Sequence, residues 1–188
     1  MSPAPSSLRI QQVVTALQGG GVIACPTEAV WGLSCDPDHK MAVARLLDLK
    51  HRDPAKGLIL VASDTAQLDF LLADLPPAQH ARLMLSWPGP TTWLVPHRGR
   101  VAPWIHGVHD SVALRVSDHP GLRALCKAWG GPLVSTSANP AGARAATELF
   151  QVRRYFGGQL DGILPGALGG TNRPSMIKDL VSDRIVRA

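Results

Sequence analysis

Helical and strand-like patterns alternate along this chain, and no segment repeats another. In the first segment, apolar residues recur at helical spacing at Ile10, Val13 and Leu17, and three glycines end the pattern. The same reasoning predicts a helix over 38–50 capped by Asp38, further helices over 65–72, 78–85, 121–129 and 147–156, and strands over 22–25, 58–62, 92–95, 111–116, 133–136 and 177–181. Hairpin-like spacing over 176–180 and 184–186 adds antiparallel pairing. We therefore predict an α/β fold in which helices flank a twisted, mixed parallel and antiparallel sheet.

Length and composition agree with a single domain over residues 1–188. Apolar residues make up 45% of the chain and charged residues 18%, which is typical of a folded globular protein. Lys and Arg outnumber Asp and Glu by 19 to 14, which gives a formal net charge of +5. This excess favours anionic partners such as nucleotides, phosphates or RNA, although an ordinary basic surface would have the same composition.

Three features indicate the surroundings in which the chain works. The longest strongly apolar run, residues 58–62, is far shorter than the ~20 residues that a membrane-spanning helix needs. Residues 1–7 lack the basic and apolar parts of a secretory signal, so we expect a cytoplasmic protein. Cys25, Cys35 and Cys126 are odd in number and far apart, which predicts reduced core thiols and neither disulfides nor a zinc site.

The segment over residues 26–33 directly follows a predicted strand. Pro26 cannot donate to a sheet ladder, so it ends the strand and presents the Thr27 hydroxyl and the Glu28 carboxylate from a stiff turn. The carboxyl end of a strand is a position that suits ligand binding. A rigid turn in which Thr27 and Glu28 only cap the backbone fits equally well, and the local sequence leaves both interpretations open.

A second segment, residues 50–57, concentrates positive charge. Lys50 and Arg52 fall where a helix is predicted to end, and Lys56 follows before a glycine and a buried strand. Cations at a helix C-terminus are favourable by roughly a few tenths of a kcal/mol, so a solvated basic helix end is one interpretation. Three cations within seven residues are more typical of a phosphate clamp, which we favour.

Short polar residues cluster where the strand over 133–136 is predicted to end. They are Ser135, Thr136, Ser137 and Asn139. An Asx or Ser/Thr turn would use such residues, but so many small donors, with backbone N–H groups between them, favour contact with an anionic ligand. A weaker signal is the Trp-Pro-Gly-Pro turn over 87–90, which delivers Thr92 to the start of a strand.

Several familiar signatures are missing from the sequence. Neither a phosphate loop nor a dinucleotide-binding fingerprint occurs, so a nucleotide site must be built in another way. The seven histidines lack the spacing of metal ligands, and we expect them at the surface or in turns. Ser135 and Ser137 do not lie in a nucleophile elbow, which counts against a hydrolase.

Short motifs in a fixed order cover nearly the whole chain. They are Pro26-Thr27-Glu28, Trp31-Gly32-Leu33, Lys50-x-Arg52, Lys56-Gly57-Leu58-Ile59-Leu60, Trp87-Pro88-Gly89-Pro90, Ala113-Leu114-Arg115-Val116 and Ser135-Thr136-Ser137-Ala138-Asn139. Together they resemble the YrdC-like threonylcarbamoyl-AMP synthases, in which the Lys-x-Arg and Ser-x-Asn pairs are the hallmark. The length matches the short form of that family, and the resemblance implies its YrdC/RibB-like fold.

The resemblance implies an enzyme that condenses L-threonine, bicarbonate or CO2, and ATP to threonylcarbamoyl-adenylate and pyrophosphate. The product would serve the threonylcarbamoyl modification of tRNA adenosine 37, through transferase partners that accept the adenylate. Lys50 and Arg52 would be catalytic and would bind ATP, and Mg²⁺ is expected on the pyrophosphate moiety without an assigned protein ligand. The remaining implied contacts are Arg115, Ser135, Ser137 and Asn139 for ATP, and Thr27, Thr92 and Ser175 for threonine.

Two other functions fit the same sequence. One is a basic module of this fold that binds double-stranded RNA, and weak binding of such RNA or of tRNA is also compatible with the enzyme. The arginines that would form the binding stripe are Arg98, Arg100, Arg144, Arg153, Arg154 and Arg173. The other is a carbamoyl-adenylating paralogue of the same fold that carbamoylates a different acceptor, or a paralogue that lacks this activity. No recognised RNA-binding motif supports RNA binding as the main function.

Overall fold

The computed structural model describes residues 5–171 and 175–187. Its helices are α1 (Ser7–Gln18), α2 (Lys40–Lys50), α3 (Asp69–Leu72), α4 (Pro77–Met84), α5 (Pro103–His106), α6 (Pro120–Trp129) and α7 (Leu149–Phe156). Its strands are β1 (Ile23–Pro26), β2 (Trp31–Ser34), β3 (Ile59–Ala62), β4 (Thr91–Pro96), β5 (Ser111–Val116), β6 (Leu133–Ser137), β7 (Gly162–Ile163), β8 (Met176–Asp179) and β9 (Ile185–Arg187). Single 3-10 turns occur at Pro54–Lys56, Thr65–Leu68 and Gly157–Gln159.

The strands named above form one sheet in the order β7-β1-β2-β6-β3-β5-β4-β8-β9. Three neighbouring pairs are parallel, namely β1 with β7, β3 with β5 and β4 with β8, and the other pairs are antiparallel. The predicted α/β fold with a mixed sheet and flanking helices is therefore confirmed. None of the helices in the part of the chain that the structure describes is long and apolar enough to cross a membrane.

One face of the sheet is covered by helices at one end of β3 and β6 and open to a cavity at the other end. Ile59 pairs with Ser135 and Val61 pairs with Leu133, and because side chains alternate along a strand all four lie on the same face. Val61 and Leu133 pack beneath α1 and α6 in one apolar cluster. Ile59 and Ser135 lie beyond these helices and line a cavity. The same two strands thus supply both a packed core and the floor of a site.

The opposite face of the sheet carries the larger core. Leu60 pairs with Leu114 on one side and Val134 on the other, and all three are buried against α2. From α2, Val43 and Leu46 belong to the same cluster. Full burial of each such side chain contributes about 1.5–3 kcal/mol, so this face holds the sheet rigid behind the cavity.

Asp38 does not cap α2, so that prediction is wrong. The backbone N–H of Asp38 donates to Oδ1 of Asp36 at 2.9 Å, which forms a turn and delays the helix until Lys40. His39 is the cap instead, because its Nδ1 accepts the N–H of Ala42 at 3.1 Å. The local turn thus uses the Asp36 carboxylate, and a histidine ring nitrogen supplies the acceptor at the start of the helix.

Several other elements differ from the sequence predictions. Residues 31–34 were expected in a loop but form β2, because hydrogen bonds to β1 and β6 on either side decide the conformation. The short elements α5 and β7 were not predicted, and residues 65–72 divide into a 3-10 turn and α3. His119, expected at the surface or in a turn, is buried and contacts the Leu122 N–H and the Ala167 carbonyl. The three cysteines are free and buried, as predicted.

Candidate active site

A cavity of about 220 Å³ lies on the sheet face beyond α1 and α6. It is bordered by the β1–β2 turn, the basic segment after α2, the start of β3, the ends of β5, β6 and β9, and the residue before β8. Six of the nine predicted site residues line it: Thr27, Arg52, Arg115, Ser135, Ser137 and Ser175. Lys50, Thr92 and Asn139 lie behind the lining and hydrogen-bond to it.

Lys50 joins the end of α2 to the end of β6. Its Nζ donates to the backbone carbonyls of Ser137 and Asn139, the latter at 2.8 Å. In return, the Lys50 carbonyl accepts the N–H of Ala141 at 2.7 Å. Burial, reinforced by the positive charge of Arg52, lowers the pKa of Lys50 to about 8. In this geometry Lys50 shapes the polar loop that follows β6.

The side chain of Asn139 is fully used within that loop. Its Oδ1 accepts the Ser137 hydroxyl at 2.6 Å, and its Nδ2 donates to the carbonyls of Pro140 and Ala143. Because the Ser137 hydroxyl donates its hydrogen bond to Asn139, it presents acceptor lone pairs and no donor to the cavity. Asn139 therefore fixes the orientation of a lining hydroxyl.

Glu28 and Arg115 meet across the cavity wall. Arg115 Nη2 donates to Glu28 Oε2 at 2.8 Å, and the two side chains are only 10% and 9% exposed. Burial by itself raises the pKa of Glu28, but Arg115, the Ser117 hydroxyl and the Asp118 N–H stabilise the carboxylate and lower that pKa overall. The Glu28 carboxylate is thus ionised and already bound within the protein.

Two hydroxyls of the predicted threonine site are also oriented by the protein. The Thr27 Oγ1 donates to the Val30 carbonyl at 2.7 Å, which closes the β1–β2 turn. On the far side, Thr92 Oγ1 donates to Ser175 Oγ at 2.8 Å, and Thr92 is completely buried. Ser175 lines the cavity, so Thr92 positions it from behind.

Arg52 and Arg187 carry positive charge with little compensation. Arg52 Nη2 donates to the Gly57 carbonyl at 2.9 Å, and Arg187 Nη2 donates to the Ser175 carbonyl at 3.0 Å. Burial and the charge of Arg187 lower the pKa of Arg52, while Asp53 partly opposes them. Arg187 was not predicted as a site residue. Only the antiparallel pairing of β9 with β8 brings it beside Ser175, and no local pattern signals that contact.

The cavity is electropositive and offers unpaired donors. Three guanidinium groups line it, against one carboxylate that is already paired. In the described ranges, three buried side-chain polar atoms lack a partner, and two of them are Nε of Arg52 and Nε of Arg115. Buried donors in native proteins are nearly always satisfied, so these atoms indicate an anionic ligand.

Five of the arginines considered for RNA binding do not line the cavity, namely Arg98, Arg100, Arg144, Arg153 and Arg154. Arg98 and Arg100 follow β4 and contact Asp74, while Arg153 and Arg154 lie in the last turn of α7. Arg173 lies outside the described residues.

Comparison with known proteins gives a consistent set of relatives. A family model for Sua5, YciO and YrdC proteins, described as telomere recombination, matches residues 15–188. A threonylcarbamoyl-AMP synthase from Stutzerimonas stutzeri is 59% identical over 179 residues, which are 95% of this chain and 96% of that protein. Another synthase of that name, from Pseudomonas paraeruginosa, is 57% identical over 97% of this chain and 98% of its own.

Solved structures show the same fold. Sua5 of P. abyssi complexed with L-threonine superposes with a TM-score of 0.86 at 28% identity, over 93% of this chain. This chain spans about half of that protein, since the match covers 51% of its length. E. coli YciO superposes with a TM-score of 0.86 at 25% identity, over 99% of this chain and 91% of its own.

Proposed function

Because the chain belongs to the Sua5, YciO and YrdC family, we infer that it is an enzyme, a threonylcarbamoyl-AMP synthase. It condenses L-threonine, bicarbonate or CO2, and ATP to threonylcarbamoyl-adenylate and pyrophosphate. The observation that carries this function is the cavity itself, in which three guanidinium groups and oriented hydroxyls face one small volume. Such a site suits a reaction in which two anions must meet.

The chemistry needs positioning and charge neutralisation more than an acid or base. The threonine amine adds to CO2 to give a carbamate and releases a proton. A carbamate oxygen then forms a bond to the α-phosphorus of ATP, the bond from that phosphorus to the bridging oxygen breaks, and its electron pair leaves on pyrophosphate. Arginines that bind both anions reduce their mutual repulsion and hold the reacting atoms in line.

The residue roles follow from the sequence expectations and from where each group lies. We assign Arg52 to the phosphates and the carbamate, with Lys50 adding its charge while it holds the loop after β6 in place. The nucleotide would be bound by Arg115, Ser135 and Ser137, with Asn139 orienting Ser137. Thr27 and Ser175 would contact threonine, with Thr92 orienting Ser175. Arg187 joins the phosphate-binding group by its position.

The lining does not suit a resident divalent cation. In residues 5–171 and 175–187 no three His, Cys, Asp or Glu side chains cluster as metal ligands do, and Glu28 is committed to Arg115. We propose that Mg²⁺ enters on the phosphates of ATP, as part of the substrate.

The product is a mixed anhydride and needs an acceptor. We propose that it serves the modification of tRNA, through transferase proteins that accept the adenylate in the cytoplasm, where ATP, threonine and tRNA meet.

Weak binding of double-stranded RNA or tRNA would be electrostatic, and its affinity should fall steeply with salt. Adenylate formation should proceed without RNA, and a strict RNA requirement for turnover would make RNA binding the primary function.

Mass spectrometry of the products tests the proposal directly. With ATP, bicarbonate, threonine and Mg²⁺, we expect an AMP-bearing threonylcarbamoyl adduct and pyrophosphate. Serine should be a poorer substrate, because it lacks the methyl group of threonine. One methyl group in a pocket gives ~1–3 kcal/mol of discrimination. If ADP and phosphate form instead, attack at the α-phosphorus is wrong.

A further inference from the structure

The ion pair between Glu28 and Arg115 differs from the others in the described part of the chain. Its side chains are 9% and 10% exposed, whereas each remaining pair has at least one side chain more than a third exposed. Both residues also line the cavity. A charge pair so deeply buried at a ligand site calls for an explanation other than stability.

Glu28 connects three segments of the chain at and behind the cavity wall. Its Oε2 accepts Arg115 Nη2 from β5, and its Oε1 accepts the Ser117 hydroxyl at 2.7 Å and the Asp118 N–H at 3.1 Å, just before α6. Its backbone carbonyl accepts the N–H of Thr171 at 3.0 Å. That segment approaches closely because Gly169 has no side chain, and a Cβ there would lie 2.9 Å from the Glu28 Cα.

The energetics favour a positioning role over a stabilising one. Replacing a buried ion pair by apolar side chains of similar volume is often neutral or stabilising, so burial of the pair is weak evidence for stability. Arg115 keeps a buried Nε without a partner after pairing with Glu28. A long, flexible guanidinium would sample many orientations, and the carboxylate fixes one of them while leaving a donor for a ligand.

We propose that Glu28 is a positioning residue for adenylate formation, which holds Arg115 so that its remaining N–H groups face the substrates. Arg115, Ser117 and Asp118 already occupy most of the acceptor sites of the Glu28 carboxylate, so in this proposal Glu28 acts through Arg115. This inference rests on the proposed function and adds a residue that acts through another. A purely structural Glu28 would affect folding and leave the kinetics of the folded enzyme unchanged.

The test is a double-mutant cycle with Glu28→Gln and Arg115→Gln, read out by pyrophosphate release at varied ATP and threonine. Glu28→Gln should lower kcat/KM by roughly tenfold, since one preorganised donor is misplaced. Arg115→Gln should lower it at least as much, and the double variant should be no worse than Arg115→Gln alone. Independent, multiplicative losses would overturn the proposal.

Two further variants control for folding. Glu148→Gln makes the same change at the N-cap of α7, away from the cavity, and should keep the wild-type kinetics. If Glu28→Gln does not fold, Ser117→Ala removes one donor to the same carboxylate and should lower kcat/KM in the same direction by a smaller factor. Wild-type kinetics in a folded Ser117→Ala variant would then overturn the proposal.

The proposed function and this inference fail in different ways. A wild-type protein that makes no AMP adduct contradicts the function before any variant is compared. A wild-type protein that makes the adduct, with a folded Glu28→Gln variant of equal kcat/KM, contradicts the positioning role alone.

Discussion

The two charged walls of the cavity are built differently. On one wall, Arg115 is buried on a strand and paired with the carboxylate of Glu28. On the other, Arg52 and Arg187 donate to backbone carbonyls, and the charge of Arg187 helps to lower the pKa of Arg52. The paired wall adds little net charge but a fixed geometry, whereas the unpaired wall supplies the net positive charge that a polyanion such as ATP needs.

This contrast predicts that removing each arginine changes the free energy of unfolding by very different amounts. Arg115→Met leaves the Glu28 carboxylate buried without a countercharge, which should lower the free energy of unfolding by about 3–5 kcal/mol. Arg52→Met removes a repulsion with Arg187 and should change that free energy by about 1 kcal/mol or less. Urea denaturation of both variants checks the difference. Equal losses in the two variants would show that the walls do not differ in this way.

On the unpaired wall, we expect the rate of adenylate formation to depend on the shape of the Arg52 side chain as well as on its charge. Arg52→Lys keeps the charge but loses the fork that grips a phosphate or carboxylate through two parallel hydrogen bonds. We expect adenylate formation to fall by roughly two orders of magnitude, with an unchanged melting temperature. The measurement pairs a thermal melt with the steady-state rate of pyrophosphate release. A variant that melts normally and keeps most of its rate would exclude the clamp role of Arg52.

The sequence predicted the fold class and much of the lining because both depend on local signals. Alternating periodicities predict the strands and helices, and several polar residues of the site lie at strand ends, such as Thr27 directly after β1 and Ser137 at the end of β6. Those signals required no knowledge of which strands are neighbours.

What the sequence left undecided depends on pairing across the sheet. Arg187 joins the site only through the β8–β9 hairpin, and Glu28 has its partner 87 residues away on β5. The two interpretations of Glu28, ligand contact or backbone cap, both omitted an internal ion pair. Lys50, Asn139 and Thr92 were expected as ligand contacts, and only tertiary structure shows that their side chains hold other lining groups.

Lys50 lies behind the unpaired wall, and its lowered pKa makes the free energy of unfolding of the protein depend on pH. The pKa of Lys50 is about 8 in the folded protein, against 10.5 for an ordinary lysine, so between these values the unfolded chain binds more protons. The free energy of unfolding contributed by this group therefore rises with pH, by about 1 kcal/mol per unit between pH 8 and pH 9. The measurable quantity is the difference between the wild type and Lys50→Met.

Comparing the wild type with Lys50→Met cancels the contributions that other titrating groups make to the free energy of unfolding. Burial raises the pKa values of the three cysteines, which lowers stability at alkaline pH, and this contribution is the same in both proteins. A difference that is flat or falls between pH 8 and pH 9 would contradict the lowered pKa of Lys50.

The smallest predicted effect concerns a hydroxyl that lies behind the cavity lining. Thr92→Val keeps the shape of a completely buried side chain but removes the proton that Thr92 donates to Ser175. Ser175 can then rotate, and its contact with threonine weakens by about one neutral hydrogen bond, ~0.5–1.5 kcal/mol. We expect the KM for threonine to rise by roughly two- to tenfold, with kcat and the KM for ATP nearly unchanged. The matched control is Thr91→Val, which removes the neighbouring hydroxyl on the other face of β4 and should leave all three constants as they are. If the ATP constant moves instead of the threonine constant, Ser175 belongs with the phosphate-binding wall of Arg187, whose guanidinium already contacts its carbonyl.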